Sequence, residues 1–330
     1  MKTGSDSLFD VAQQSHHRQR ARGKQAAGSH VDRLHFQHGF TLVEAIIVIV
    51  ITAVIAAVVA IFIPKPVQAY FDSADRAALT DVADTALRRM ARDLRLALPN
   101  SIRVSADGKY LELLLTKTGG RYLAEEDMAT GNPLRFDTCD GTSGDRQFDV
   151  VGAALAGNSG SPFGPEQQIA SGDYVVVYNL GQAPADAYNC TASCNRAQVS
   201  STPTDNTIRL DSNPFCAQPE PRMKSPSMRF QVVATPVTYY CDGSAGGLGG
   251  TLTRYWDYTI QEGPPPVNLS AGTSPKSALL ATGVVSCSFD YDNLRNIHSG
   301  LVGLTITLQV PNSNSGAVTL FHQVHVDNTP

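Results

Sequence analysis

The chain has 330 residues, of which 42% are hydrophobic and 17% are charged, so its composition supports a packed core and excludes global disorder. Its formal net charge is −4, and residues 40–330 carry 20 Lys/Arg against 27 Asp/Glu. Proteins that bind nucleic acids present a basic surface. The charge balance therefore argues against DNA or RNA as a partner.

The first 39 residues differ from the rest of the chain. They carry six Lys/Arg against three Asp/Glu, and they contain His16, His17, His30, His35 and His38. They show little apolar periodicity, so the sequence predicts an unstructured leader over residues 1–39.

An apolar segment follows the leader. Residues 40–63 read FTLVEAIIVIVITAVIAAVVAIFI and contain a single charged residue, Glu44. As a helix this segment would be about 36 Å long, enough to cross a hydrocarbon layer of about 30 Å. The sequence thus predicts a transmembrane helix, and an uncleaved signal anchor remains an alternative. A carboxylate within such a span costs roughly 3 kcal/mol, which indicates that Glu44 has a function and meets a cation after assembly.

The start of this segment resembles a known signal. Gly39-Phe40-Thr41-Leu42-Val43-Glu44 resembles the class III signal of type IV prepilins. The resemblance implies that a prepilin peptidase cleaves after Gly39 and methylates Phe40, and that Glu44 pairs with the Phe40 amino group of a neighbouring subunit. It also implies three partners: the peptidase, other major and minor pilins, and an inner-membrane assembly platform. The expected location is the inner membrane, single-pass with a periplasmic head, and then the pilus or cell surface.

The leader departs from the prepilin pattern in two respects. It is long for this type of signal, and His38 occupies the position where Lys or Arg is usual. We hypothesise that the true start lies at Val31 or Leu34, through an alternative start codon. The mass of the unprocessed precursor tests this, because a precursor that begins at Met1 would refute the hypothesis.

An amphipathic helix is predicted over residues 64–99, with Pro64 and Pro66 kinking or opening the helix near its start. Its apolar positions recur every three or four residues; they are Leu79, Val82, Ala83, Ala86, Leu87, Met90, Leu94 and Leu98. Its other face carries the charged residues Asp81, Asp84, Arg88, Arg89, Arg92, Asp93 and Arg95. Pro99 and Asn100 are expected to end it.

Residues 100–330 are predicted to form a β-rich head, which makes the fold class α+β: a long N-terminal helix packed on an antiparallel sheet. Alternating and β-branched runs predict strands over residues 101–105, 110–116, 174–179, 207–210, 228–234, 237–241, 252–260, 284–291, 304–310 and 318–326. Residues 117–173 are predicted to be an irregular insertion, and residues 262–277 a connection. The sequence leaves open whether the head has one domain or two lobes.

Six cysteines lie in the head, namely Cys139, Cys190, Cys194, Cys216, Cys241 and Cys287. An even number favours disulfides in an oxidising compartment, but the sequence allows 15 pairings. No histidine lies near Cys190 or Cys194 in the sequence, so no zinc site is expected.

A weaker resemblance covers about a third of the chain. Residues 83–95, 229–241, 252–256, 284–291 and 324–330 resemble large minor pilins and secretion pseudopilins, above all the O-type biogenesis proteins of mannose-sensitive haemagglutinin (MSHA) pili. In that comparison Cys241 and Cys287 are the favoured disulfide pair.

No enzyme motif is recognisable, and no cofactor or metal is expected. His298 and Ser299 near Asp290 are interpreted as a solvated turn, and the acidic turns at 140–145 and 290–293 lack the spacing of a dedicated calcium loop. His322 and His325 are three apart, which on a strand places them on opposite faces. The expected function is that of a minor pilin. The alternatives are a type II secretion pseudopilin, a tip adhesin that binds through residues 117–173, and a membrane-anchored periplasmic enzyme.

Overall fold

The computed structural model describes residues 39–127, 130–137, 143–152, 164, 167–190, 194–218, 222–265, 275–292, 299–313 and 315–330. The chain divides into two compact units, Met1–Ala60 and Ile61–Pro330. Leader residues 1–38 and Cys139 lie outside the described residues, as do His298 and parts of the two acidic turns, namely residues 140–142 and 293.

Two helices open the described chain. Helix α1 spans Leu42–Phe62 and has no buried residue. Helix α2 spans Pro64–Arg95, after a break at Ile63. The break follows from Pro64 and Pro66, which lack the N–H groups that would continue the hydrogen bonds of α1.

Helix α2 ends four residues earlier than the sequence predicts. After Arg95 the chain turns into the sheet, because the Leu98 N–H donates to Leu114 O at 2.7 Å and Leu96 O accepts from Thr116 at 2.8 Å. One predicted apolar position, Val82, is 39% exposed. The buried face of α2 consists of Leu79, Ala83, Ala86, Leu87, Met90, Ala91, Asp93 and Leu94.

Twelve strands lie within the described part of the head. They are β1 (Arg103–Val104), β2 (Tyr110–Tyr122), β3 (Gln147–Val151), β4 (Tyr174–Val176), β5 (Arg196–Ser201), β6 (Thr207–Leu210), β7 (Arg229–Asp242), β8 (Thr251–Trp256), β9 (Lys276–Thr282), β10 (Val284–Asp292), β11 (Ser299–Gln309) and β12 (Ala317–Asp327). All their pairings are antiparallel. One sheet has nine strands in the order β1-β2-β3-β6-β5-β4-β7-β8-β9, and the other has the order β10-β11-β12.

Strands β2 and β7 also pair with each other, and this pairing divides the head into two lobes. The second half of β2 and the first half of β7 close a ring with β3, β6, β5 and β4. We call this the ring lobe. Its core is aromatic, with Tyr122, Phe136, Phe148, Phe215 and Phe230. The remaining strands and α2 surround a separate core, here called the helix lobe.

The long shared strands explain several wrong predictions. The strand that was predicted to end at Thr116 continues to Tyr122 as β2. Gly119 and Gly120 permit this, because a Cβ at Gly119 would lie 2.8 Å from Phe230 O. Two strands were predicted at 228–234 and 237–241, where β7 is continuous. The pairing register between β2 and β7 shifts beside Pro236, and this shift accommodates the proline within one strand.

The predicted irregular insertion at 117–173 is therefore wrong in part. It contains the end of β2 and all of β3, and it contributes the buried Phe148 and Ile169 to the ring lobe. Strands β5 and β9 were also missed. Their sequences, RAQVSS and KSALLAT, contain few of the β-branched and aromatic residues that mark strands. Residues 276–277, predicted to be part of a connection, begin β9.

Candidate processing and assembly segment

Residues 39–41 immediately precede α1, which begins at Leu42. Thr41 caps the helix: its Oγ1 accepts from the Glu44 N–H at 3.2 Å, and its carbonyl accepts from the Ala45 N–H at 3.1 Å. Thr41 and Glu44 have the spacing of a capping box, a motif in which each of the two side chains accepts a hydrogen bond from the backbone N–H of the other residue. The role of Thr41 as a helix cap was not predicted, although the T-x-x-E spacing of Thr41 and Glu44 indicates it.

Gly39 and Phe40 are both exposed, Phe40 by 73%. A Cβ at Gly39 would meet nothing within 4 Å, and its φ lies outside the left-handed region. Packing within the described residues therefore does not require glycine at position 39.

Glu44 lies in the first turn of α1, where the helix dipole favours a negative charge. It is exposed, and within the described residues no cation lies within ion-pair distance of its carboxylate. The cap and the dipole stabilise Glu44 locally, but neither supplies a counter-charge. The carboxylate is thus available to a group from outside the described chain.

Helix α1 presents only apolar side chains after Glu44, apart from Thr52. The Thr52 hydroxyl is satisfied within the helix, because it donates to Val48 O at 2.7 Å. In the described part of the chain, the helix that starts at Leu42 is the one that is long and apolar enough to cross a membrane. A helix satisfies the backbone groups of its interior within itself, which is the requirement for a segment that crosses a membrane.

Helix α2 is fixed to its lobe by a buried carboxylate. Asp93 is 3% exposed, and its Oδ2 accepts from Arg254 Nε at 2.8 Å and from the Tyr239 hydroxyl at 2.7 Å. Burial and the Asp93 charge raise the pKa of Tyr239, so the hydroxyl stays a donor. Arg254 also lies over the Trp256 ring at 4.9 Å. The prediction that Asp93 lies on the charged outer face of α2 is wrong, because Asp93 lies on the buried face.

A second buried carboxylate, Glu112, holds the sheet to the β8–β9 connection. Arg103 donates to Glu112 and also to Gln261 O at 3.0 Å, and Tyr258 donates to Glu112 Oε1 at 2.9 Å. Burial raises the pKa of Glu112, although the Arg103 charge opposes the shift. The Glu112 carboxylate is buried and has hydrogen-bond partners on both oxygens, which indicates a structural role.

Two disulfides join described cysteines. Cys241 is bonded to Cys287, the pair that the resemblance favoured, with a Cα–Cα distance of 6.2 Å. Cys190 is bonded to Cys194, with a Cα–Cα distance of 4.4 Å. Cys216 is also disulfide-bonded. The Cys241–Cys287 bond links β7 of the large sheet to β10 of the small sheet, and so joins the two sheets of the helix lobe.

Among the residues that the structure describes, no group of three or more His, Cys, Asp or Glu side chains is placed to hold a metal ion. On β12, His322 is half-buried and His325 is exposed, as expected for opposite faces of a strand.

Comparison with known proteins gives one match. Residues 34–60 match the family model of the prokaryotic N-terminal methylation motif. No curated protein and no solved structure matches the chain significantly. The motif supports a type IV pilin or pseudopilin in general, and it implies processing by prepilin peptidase and assembly with pilins.

The fold agrees with this class. One long apolar N-terminal helix and a large antiparallel β-sheet are the elements of the α+β type IV pilin fold. The apolar helix with its methylation motif fits a membrane-anchored pilin.

Proposed function

We propose that this chain is a minor pilin, which takes part in initiating, assembling or capping a type IV pilus of the MSHA type. The observation that carries the proposal is a large, two-lobed head on a helix with a prepilin methylation motif. Cleavage after Gly39 would leave 291 of the 330 residues. A head of this bulk is poorly suited to repeat at every position along a thin filament.

Assembly in this proposal depends on Phe40 and Glu44. Cleavage creates a charged amino group on Phe40, four residues before Glu44. Two unpaired charges in lipid are costly, and a buried charge that keeps its partner avoids most of that cost. Pairing Glu44 of one subunit with the Phe40 amino group of the next therefore favours the assembled state and sets its register.

A tip adhesin is the second candidate, because the ring lobe has its own core. None of the buried residues of that core comes from α2, so the ring lobe is not needed to cover the helix. A lobe of this kind is available to contact a surface ligand.

The test is deletion of the gene in a piliated host, complemented with the wild-type chain. Pili are counted by electron microscopy, and attachment to a surface is measured in parallel. Loss of the pili supports the minor-pilin role. Loss of attachment with normal pili supports the adhesin instead. Normal pili and attachment with impaired protein secretion would contradict both and indicate a secretion pseudopilin.

A further inference from the structure

The first turns of α2 and the residues just before them are apolar and uncovered. Each of residues 61–71 is exposed, and the large hydrophobic residues among them are Ile61, Phe62, Ile63, Val67, Tyr70 and Phe71. Tyr70 is 71% exposed and Phe71 is 60% exposed. Single exposed apolar residues are common on soluble proteins, but a contiguous group marks a binding surface. We call residues 63–71 the neck segment.

The neck segment has one apolar face. Its large apolar side chains follow the spacing i, i+4, i+7 and i+8 of an amphipathic helix; they are Ile63, Val67, Tyr70 and Phe71. The rings of Tyr70 and Phe71 lie edge to face, with their centroids 5.9 Å apart. Lys65 and Asp72 are seven residues apart, so they share the opposite, polar side of the helix.

The head does not account for this apolar face. Tyr70 and Leu79, the first buried residue of α2, are nine residues apart, which is about two and a half helical turns. The apolar face of the neck segment therefore points away from the side of α2 that packs on the head. Within the described residues, the first hydrogen bond between α2 and the head comes later, from Ser313 to Asp75 at 3.3 Å.

The surface of a membrane fits the neck segment better than water or the hydrocarbon layer does. In water, the apolar face would stay hydrated, at a cost that grows with its area. In hydrocarbon, Lys65 would be a charge within lipid. In the headgroup region, aromatic side chains such as Tyr are enriched, and a Lys can extend its charge toward water along its apolar stem.

The position and length of the neck segment agree with this environment. It follows α1, the apolar helix that is long enough to cross a membrane, directly in the sequence. From Pro64 to Phe71 the helix rises about 10 Å, and the headgroup region on one side of a bilayer is roughly 5–8 Å thick. A tilted helix of this length spans that region, with its apolar face toward the acyl chains.

We propose that the neck segment binds the headgroup region of a phospholipid bilayer, with Tyr70 and Phe71 as its aromatic anchors. Asp75 lies about 6 Å beyond Phe71 along the helix axis. The segment therefore holds the part of the head around Ser313 close to the membrane surface. This inference goes beyond the proposed function, because it depends on the membrane anchor and not on a role in a filament.

The test uses the full chain reconstituted in phosphatidylcholine vesicles. The chain contains one tryptophan, Trp256, which gives the baseline fluorescence of the wild type. Phe71→Trp adds a tryptophan within the neck segment, and Phe321→Trp adds one on β12 of the head. Phe321 is 62% exposed, so these two positions are matched in residue type and exposure. Gln68→Trp is a second control, because Gln68 is exposed on the polar side of the same segment.

Fluorescence is measured in vesicles whose lipids carry bromine, a quencher, at defined depths along the acyl chains. The Phe71→Trp protein should lose more fluorescence than the wild type, and most with bromine near the headgroup end of the chains. The Phe321→Trp protein should lose no more than the wild type. The Gln68→Trp protein should lose less than the Phe71→Trp protein.

Three results would overturn the inference. Quenching of the Phe71→Trp protein that does not exceed the wild type would place residue 71 in water or, if its emission changes with the ratio of protein to lipid, against a second copy. Strongest quenching by bromine near the chain ends would place it in the hydrocarbon layer. Equal quenching of the Phe321→Trp protein would show that the neck segment has no preference for lipid.

Failure of the proposed function would look different. In that case the wild-type chain would be missing from sheared filaments, and the depth-dependent quenching at position 71 would be unchanged.

Discussion

Helix α1 and the head differ in whether the described chain itself buries their residues and supplies counter-charges to their carboxylates. None of the 21 residues of α1 is buried by the described chain, and its one carboxylate, Glu44, has no counter-charge there. Helix α2 and the head bury four carboxylates, and each of them has a basic partner; they are Asp93, Glu112, Asp145 and Asp173.

This difference shows which part of the molecule depends on its surroundings. The head can fold on contacts that it supplies itself. The described chain gives helix α1 neither burial nor a counter-charge, and under the proposed function a membrane and a neighbouring subunit would provide them. Substitutions in the two regions should therefore separate stability from assembly.

The largest effect on stability is expected from Asp93→Ala. This change leaves Arg254 buried without its counter-charge and should lower the free energy of unfolding by about 3–5 kcal/mol. Denaturant titration of the full chain in detergent measures it. Arg89→Ala is the control, because Arg89 is 44% exposed and lies 3.6 Å from Asp93; its cost should stay below about 1 kcal/mol. Equal costs would show that the buried network does not hold α2.

The Cys241–Cys287 disulfide should come next. Replacing both residues by Ser opens a loop of 46 residues and should cost about 4 kcal/mol by loop entropy. Replacing Cys190 and Cys194 by Ser opens a loop whose ends are four residues apart in the sequence and should lower the free energy of unfolding by about 2 kcal/mol. Unfolding free energies of the two variants give the comparison. A larger cost for the short loop would contradict the role of the first disulfide in joining the sheets.

The ring lobe should show a pH-dependent effect at Asp149. Burial acts to raise the pKa of Asp149, but hydrogen bonds from Thr207 and Asn132 outweigh it and lower the pKa below 3.8. A lowered pKa gives stability above about pH 3.8 that is lost as the pH falls through the folded-state value. Asp149→Asn should cost about 1–3 kcal/mol at pH 7 and less at pH 3.

Unfolding of both chains at the two pH values checks this prediction. Asp211→Asn, an exposed carboxylate of the same lobe, is the control and should show little change at either pH. A cost for Asp149→Asn that does not shrink at pH 3 would refute the role assigned to the charge.

The smallest effect on stability is expected from Glu44→Ala, which should change the unfolding free energy of the head by less than about 0.5 kcal/mol. It should leave membrane insertion and cleavage nearly intact and yet impair incorporation into filaments. Immunoblots of sheared filaments and of membranes measure the two separately, with Asp211→Ala as the matched control. Normal incorporation of the Glu44 variant would count against the Phe40–Glu44 pairing.

The sequence was most informative where one residue type dominates a pattern. The apolar run at 40–63 predicted α1 almost to the residue. The spacing of the apolar residues after it predicted most of the buried face of α2. The strand at 207–210 was confirmed with its bounds unchanged as β6. These features depend on local periodicity, which the sequence shows directly.

Features that depend on distant contacts could not be predicted. Asp93 was interpreted as a surface charge because its partners, Tyr239 and Arg254, are 146 and 161 residues away. Residues 117–122 were predicted to be part of an irregular insertion, whereas they continue β2, in which Gly119 and Gly120 approach Phe230 closely. The ring lobe was likewise hidden, because its closure requires β2 and β7 to pair across more than a hundred residues.

The mass of the N-terminus of the protein recovered from cell envelopes tests the central claim most directly. We predict a chain that begins at N-methylated Phe40, which would establish processing after Gly39 and free the amino group that Glu44 is proposed to bind. An intact leader, or cleavage at another residue, would contradict the account and leave a membrane-anchored protein that does not enter a filament.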